Sequence, residues 1–332
     1  MNPIYTLAPF ALLALTGCPT TKFGDDTAPV DTNVDDTAND TSAECTTTVS
    51  SIEPADGATG VYYRDSMVVN FEGDGGSAAL QLADSSGAPV PMTATFTSGN
   101  VQALVVPDSP LTPLTGYLLS ATICDLTTSS AFTTSELGTP LDEDPLSLLG
   151  KTFAFRLSDS DITEPAFLNL IAGTYLTVPI LLGVESVDTA QIHMIGGLGY
   201  ESGSTLKQED LPTWDFPSAD FTTQPFFHAE SALITIMYGD VPIPIADFNI
   251  SGTFNRTGTA IEEGYATGIG DSRYMSELVG KPADDYGAVC DLAAAAGVVC
   301  TACSDGEPYC LYIVAENIVA TEVDGLTMSV IE

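Results

Sequence analysis

Between residues 45 and 134 the chain alternates short apolar, β-prone runs with polar turn clusters. The runs fall at 46–52, 67–71, 78–82, 93–97, 101–106, 116–124 and 130–133. Their regular spacing, with Gly, Pro and Asp between them and no 3.6-residue period, predicts about seven strands in an antiparallel β-sandwich. Cys45 lies at the first run and Cys124 at the penultimate one, so a bridge between them would tie the ends of this region together.

A second region, 150–332, has a different pattern. Strand-like runs occur at 151–158, 177–187, 191–197, 232–239, 241–254, 260–270 and 309–323, and 166–176 reads as helical. In 241–254, Val241, Ile243, Ile245, Phe248, Ile250 and Phe254 point one way, with a slip near Ala246, while Asp247, Asn249, Ser251 and Thr253 point the other. That period of two gives one dry and one wet face. Pro242 and Pro244 place its first half at a sheet edge. The next run sets Gly264, Ala266, Gly268 and Gly270 against Tyr265 and Ile269, a small-residue face suited to a tightly curved sheet. Asp271 or Ser272 caps a short helix running to Val279, and Asp284 or Asp285 starts a second that Gly297 stops. Gly138, Pro140 and the acidic run 142–144 make 135–149 a linker. The expected fold is therefore mainly β: a sandwich over 45–134, then a β-rich domain over 150–332 (curved sheet or barrel-like) with one or two short helices near a disulfide cluster.

The first residues carry a different signal. The apolar run 7–17 is shorter than the ~20 residues a membrane helix needs, and it fits the core of a secretory signal peptide. It ends in Leu15-Thr16-Gly17-Cys18, which resembles the lipobox of bacterial lipoproteins. The resemblance implies cleavage before Cys18, removal of 1–17, and a diacylglyceryl group on the Cys18 thiol. The chain departs from the pattern in having no Lys or Arg in residues 1–6. The expected location is the bacterial cell envelope, by lipid anchorage in the outer membrane of a Gram-negative organism. Residues 18–44, with Asp25, Asp26, Asp31, Asp35, Asp36 and Asp40 among Thr, Pro and Asn, read as an acidic, disordered tether. They lack the order of carboxylates that a calcium loop requires. The apolar stretch 166–184 is interrupted by Asn169, Gly173 and Pro179 and reads as core.

The sandwich region also carries a resemblance. Glu53-Pro54-Ala55-Asp56-Gly57-Ala58-Thr59-Gly60-Val61, then Val68-Val69-Asn70-Phe71, Leu111-Thr112-Pro113-Leu114-Thr115-Gly116-Tyr117 and Ala131-Phe132-Thr133-Thr134, are similar to the bacterial Ig-like domain found in S-layer proteins. The likeness implies an Ig-like fold and a spacer or adhesion role. It also implies that Tyr117 turns its ring inward and bonds nearby backbone through its hydroxyl.

Charge narrows the function classes. With 45 Asp and Glu against 8 Lys and Arg, the 332-residue chain has a formal charge of −37. That excludes a phosphate-tracking nucleic-acid surface. Cys290, Cys300, Cys303 and Cys310 cluster near the C-terminus. A zinc ribbon needs a second Cys-x-x-Cys knuckle, and a redox pair needs a helix where 304–308 forms a turn. Two structural disulfides fit an oxidising compartment best, with Cys290–Cys300 and Cys303–Cys310 the favoured pairing. No catalytic residue, metal or cofactor is expected. His193 and His228 read as packing residues, and the acidic pairs at Asp159, Asp161 and Glu164 and at Glu262 and Glu263 carry little signal in so acidic a chain. Trp214, Phe216, Phe226 and Phe227 lie in an aromatic segment, 211–228, that would form either the lip of a ligand pocket or a long loop pinned to the core by its rings. The first reading of function is a surface-anchored structural or interaction lipoprotein. Its partners would be the membrane, through Cys18, and a protein or envelope polymer. An apolar-ligand carrier and an extracytoplasmic hydrolase are the alternatives.

Overall fold

In the computed structural model, residues 45–332 are described, apart from 170–171, 174–175 and 239–240. The signal peptide, Cys18 and the tether, 1–44, lie outside the described residues.

The β-prone runs of the first region become nine strands: β1 (Thr48–Glu53), β2 (Ala58–Val61), β3 (Met67–Glu72), β4 (Ala79–Asp84), β5 (Pro89–Val90), β6 (Met92–Phe96), β7 (Gln102–Pro107), β8 (Gly116–Ile123) and β9 (Leu126–Thr134). They form two sheets, ordered β1-β3-β7-β6 and β2-β9-β8-β4-β5. Alternate residues face inward, so that Met67, Val69, Leu82, Val105, Leu119 and Phe132 build one core. The two strands beyond the expected seven are short: β5 and β2, the latter pairing parallel with β9. β9 begins at Leu126, earlier than its sequence suggests. Ile123 faces Leu126 across the turn, and Cys124 and Asp125 both have positive φ, as a two-residue type I′ hairpin demands. Cys45 and Cys124 are bridged, but from flanking positions: Cys45 precedes β1 and Cys124 sits in this turn rather than in a strand. Tyr117 stacks on Phe132, and its hydroxyl accepts the Thr112 N–H at 2.8 Å.

The second region adds β10 (Thr152–Phe155), β11 (Asp161–Glu164), β12 (Ile180–Val187), β13 (Gln191–Ser202), β14 (Thr205–Gln208), β15 (Trp214–Asp220), β16 (Phe226–Tyr238), β17 (Val241–Phe254), β18 (Ala260–Asp271) and, after helix α1 (Ala288–Ala295), β19 (Cys310–Glu322). All join one ten-stranded antiparallel sheet ordered β14-β13-β12-β10-β19-β18-β17-β16, with β15 also on β13 and β11 on β19. The sheet coils around a core that includes Phe153, Phe216, Phe221, Phe227 and Phe254 without closing into a barrel. The slip in β17 is a register shift between Ala246 and Asn249, centred on Asp247 at φ 48°. Pro242 and Pro244 lie beyond the end of β18, whose pairing with β17 starts at Ile245, so their missing N–H groups cost no ladder bond on that side. The small residues of β18 let neighbours approach: a Cβ on Gly264 would fall 2.8 Å from Ile318, and one on Gly268 would overlap Ile245.

Several elements differ from expectation, among them the short strands β11 and β14, which fall outside the expected runs. β15 is a strand, not a loop; Asp215 and Pro217 look like turn formers, but they point outward while Trp214 and Phe216 point in. The stretch read as helical over 166–176 opens with a 3₁₀ turn at Ala166–Leu168, and its described residues Asn169, Ala172 and Gly173 are α-helical as expected. The helix expected from 284 or 285 starts at Ala288; Asp285 lies in the turns before it, its carbonyl accepting both the Ala288 N–H at 3.0 Å and the Ser276 hydroxyl at 2.7 Å. Before it, Ser272–Val279 is a 3₁₀ helix capped by Asp271 and ended by Gly280 at φ 71°. Residues 135–149 are pinned at both ends, Leu137 into the sandwich core and Leu148 into the core of the large sheet. The two regions touch directly: Tyr62 bonds Thr253 at 2.6 Å, and Arg64 lies over the Phe226 ring at 3.7 Å.

Candidate interaction site at the seam of the C-terminal sheet

β15 and β16 follow each other in the chain and run side by side, yet among the described residues no ladder joins them. β15 pairs with β13, and β16 pairs with β17. Between them lies an open groove of about 680 Å³, lined by Leu198, Leu211, Trp214, Leu233, Thr235 and Met237 among others. One bond crosses it from the tryptophan, whose Nε1–H donates to the Thr235 carbonyl at 3.1 Å. In an antiparallel ladder the backbone groups of alternate residues point the same way. The Thr235 carbonyl faces the groove, so the N–H and C=O of Leu233 and Met237 face it too.

An open strand edge is a template for another strand, and proteins commonly guard it with charge or proline. β15 follows that rule, with Asp215, Pro217 and Asp220. β16 does not: residues 231–238 read Ser-Ala-Leu-Ile-Thr-Ile-Met-Tyr, with neither a charge nor a proline. Leu233 is 56% exposed at its centre. The seam thus offers backbone hydrogen bonds beside apolar side chains, which is what recognition by strand addition requires. On the β15 side, Asp215 accepts from His193 Nε2 at 2.7 Å, and His193 Nδ1 meets Glu185 at 2.9 Å. His193 is therefore a half-buried residue whose two ring nitrogens meet carboxylates, rather than a packing one. His228 is similar, exposed and 3.0 Å from Glu230.

Of the four aromatic residues expected at a ligand lip, only Trp214 lines this groove. Phe216 is fully buried against Phe248, and Phe227 is fully buried against Phe254. Phe226 points to the opposite face from Phe227, as adjacent residues in a strand must, and lies under Arg64. Leu233, Thr235 and Met237 belong to the site and were not singled out from the sequence. Their only signal was the uncharged run at 231–238, which does not say that its strand is an edge.

Carboxylates converge elsewhere, where the sandwich meets the large sheet. Burial pushes the Asp65 carboxyl up, helped by Glu316. Burial also raises Glu263, with Asp65 and then Glu262 adding to it. The Tyr62 hydroxyl is driven above the usual tyrosine range by burial. Asp161 is engaged by Asn317 at 2.6 Å.

Near the C-terminus, Cys290 is bridged to Cys300 and Cys303 to Cys310. The Asp271 carboxylate lies close to the Cys303 and Cys310 sulfurs. However, bridged sulfurs offer no thiolate to a metal, and Asp271 is already held by Arg273 Nε and Nη2 at 2.9 and 2.6 Å. No protein-family model matches the chain, and no curated protein matches it.

Proposed function

We propose that the protein is an exported lipoprotein of the bacterial cell envelope, anchored through Cys18, which docks a partner polypeptide along the β15–β16 seam. The observation that carries the docking is the unguarded edge of β16 facing Trp214 across an open groove. The anchor rests on the likeness of Leu15-Thr16-Gly17-Cys18 to a lipobox, and three disulfides suit an oxidising compartment. In this reading the acidic residues 18–44 space the body from the membrane and the sandwich is the spacer module.

Two experiments test it. A photo-reactive residue at position 233 should form adducts in the native host that the same residue at Leu126 (63% exposed, on the sandwich hairpin) does not. Equal labelling at the two positions would refute the docking. Cys18→Ala should move the protein from the detergent phase to the aqueous phase, and an unchanged distribution would refute the anchor.

A further inference from the structure

Inside the coil of the large sheet, at the end covered by the 3₁₀ helix Ser272–Val279 and by α1, lies a cavity of about 90 Å³. Among the described residues its wall presents only apolar surface, built from Phe155, Ile180, Ile245, Phe248, Met275 and Ile313 with neighbouring side chains, Thr267 showing it no polar atom. Protein interiors pack with few voids larger than a water molecule, and a water held in such a space needs two to four polar partners. This wall offers none, so the space is suited to hydrocarbon and unsuited to water.

We infer that this cavity is a binding site for a compact apolar group of at most about six carbons, since an engineered apolar cavity of about 150 Å³ stays dry and holds benzene and this smaller one has the same lining chemistry. The cover explains why the space persists. Cys290–Cys300 ties α1 to the following loop, and Cys303–Cys310 ties that loop to the start of β19. Arg273 joins Asp271 at 2.6 Å to Asp305 at 2.8 Å. Met275 and Val289 reach the cavity from this cross-linked cover, and Ile313 reaches it from β19. The site is thus preformed, which reduces the ordering that a ligand would have to impose. A compact ring and the methyl end of a longer alkyl chain share the required chemistry.

The test uses the full-length protein with its disulfides intact and methyl-labelled methionine. Benzene and sodium decanoate are titrated separately while the Met275 methyl resonance is followed. A saturable shift is expected with at least one of them. Saturation by benzene alone identifies a compact ligand, and saturation by decanoate identifies a chain end. Ala315→Leu, which projects three further carbons into the space from a lining position, should weaken binding at least tenfold, and Val289→Phe should do the same from the cover. The inference is overturned if neither compound saturates the shift below its solubility limit, or if a folded variant of either kind binds as the parent does.

Discussion

The contact between Tyr62 and Thr253 makes the coupling of the two β regions measurable. The hydroxyls lie 2.6 Å apart, Thr253 is fully buried, and burial raises the tyrosine hydroxyl's pKa. Tyr62→Phe deletes one partner and leaves the other without a hydrogen bond in a dry contact. A net hydrogen bond contributes about 1 kcal/mol, and an orphaned buried partner adds to that, so the expected loss is about 1–2 kcal/mol. With a urea dependence of about 3 kcal/mol/M for a unit of this size, the midpoint should fall by about 0.3–0.7 M. The assay is tryptophan fluorescence. Trp214 is the only tryptophan in the chain, and it sits in the large sheet, whereas Tyr62 belongs to the sandwich. Thr253→Val should cost a similar amount, and the double variant should cost less than the sum by about 1 kcal/mol, the coupling expected of groups in contact. If Tyr62→Phe leaves the Trp214 transition where it was, the two regions unfold independently and the reasoning fails. Strict additivity of the two substitutions would also refute it.

Other consequences are separable. Glu263 is half-buried and its pKa is raised by burial and by the neighbouring Asp65 and Glu262, so its contribution to stability is present below the ordinary carboxylate range and is lost as pH rises through its elevated folded pKa. Glu263→Gln should therefore raise the melting temperature at pH 7 and leave it nearly unchanged at pH 4; an equal gain at both would contradict the burial argument. Thr152 is fully buried and its hydroxyl has no hydrogen-bond partner, so Thr152→Val should stabilise the fold by about 1 kcal/mol, read from the urea midpoint. Replacing Cys45 and Cys124 by Ser opens a loop with a sequence separation of 79, which chain entropy puts at roughly 4–5 kcal/mol. Loss of less than 1 kcal/mol in a denaturation curve would rule out that account.

Local pattern carried most of the strand content. β17 was legible over most of its length, including its slip, because its dry and wet faces differ and Asp247 cannot lie on the dry one; the exception is Thr253, expected on the wet face but fully buried where Tyr62 of the sandwich covers it. β15 was hidden because Asp215, Pro217 and Asp220, which suit a turn, also suit the guarded edge of a sheet; the neighbouring strand decides between the two. The hairpin at Cys124 was missed for a related reason, since neither Cys nor the Asp after it announces a positive φ as Asn-Gly would. The aromatic segment was visible but its grouping was not. Phe226 and Phe227 are adjacent and must diverge once they lie in a strand, so no single pocket could hold both. The seam depends on strand order, a property of the whole sheet, and an uncharged run reads the same at an edge as in the middle.

The cavity and its cover can be weighed against each other. A void of about 90 Å³ costs about 2 kcal/mol at ~24 cal/mol per Å³, which a core normally recovers by moving its walls inward. Both walls are restrained here. On the sheet side the strands are already as close as their small residues permit: a Cβ at Gly268 would overlap Ile245, and one at Gly270 would lie 2.8 Å from Ile313. On the other side the cover is held by bridges spanning separations of only 10 and 7 residues. Each is worth roughly 2.5–3 kcal/mol in chain entropy, and short loops leave little slack for α1 to sink. Either bridge alone therefore offsets the stability that the void costs, and the fold carries its uncollapsed apolar space where its chain is most heavily cross-linked.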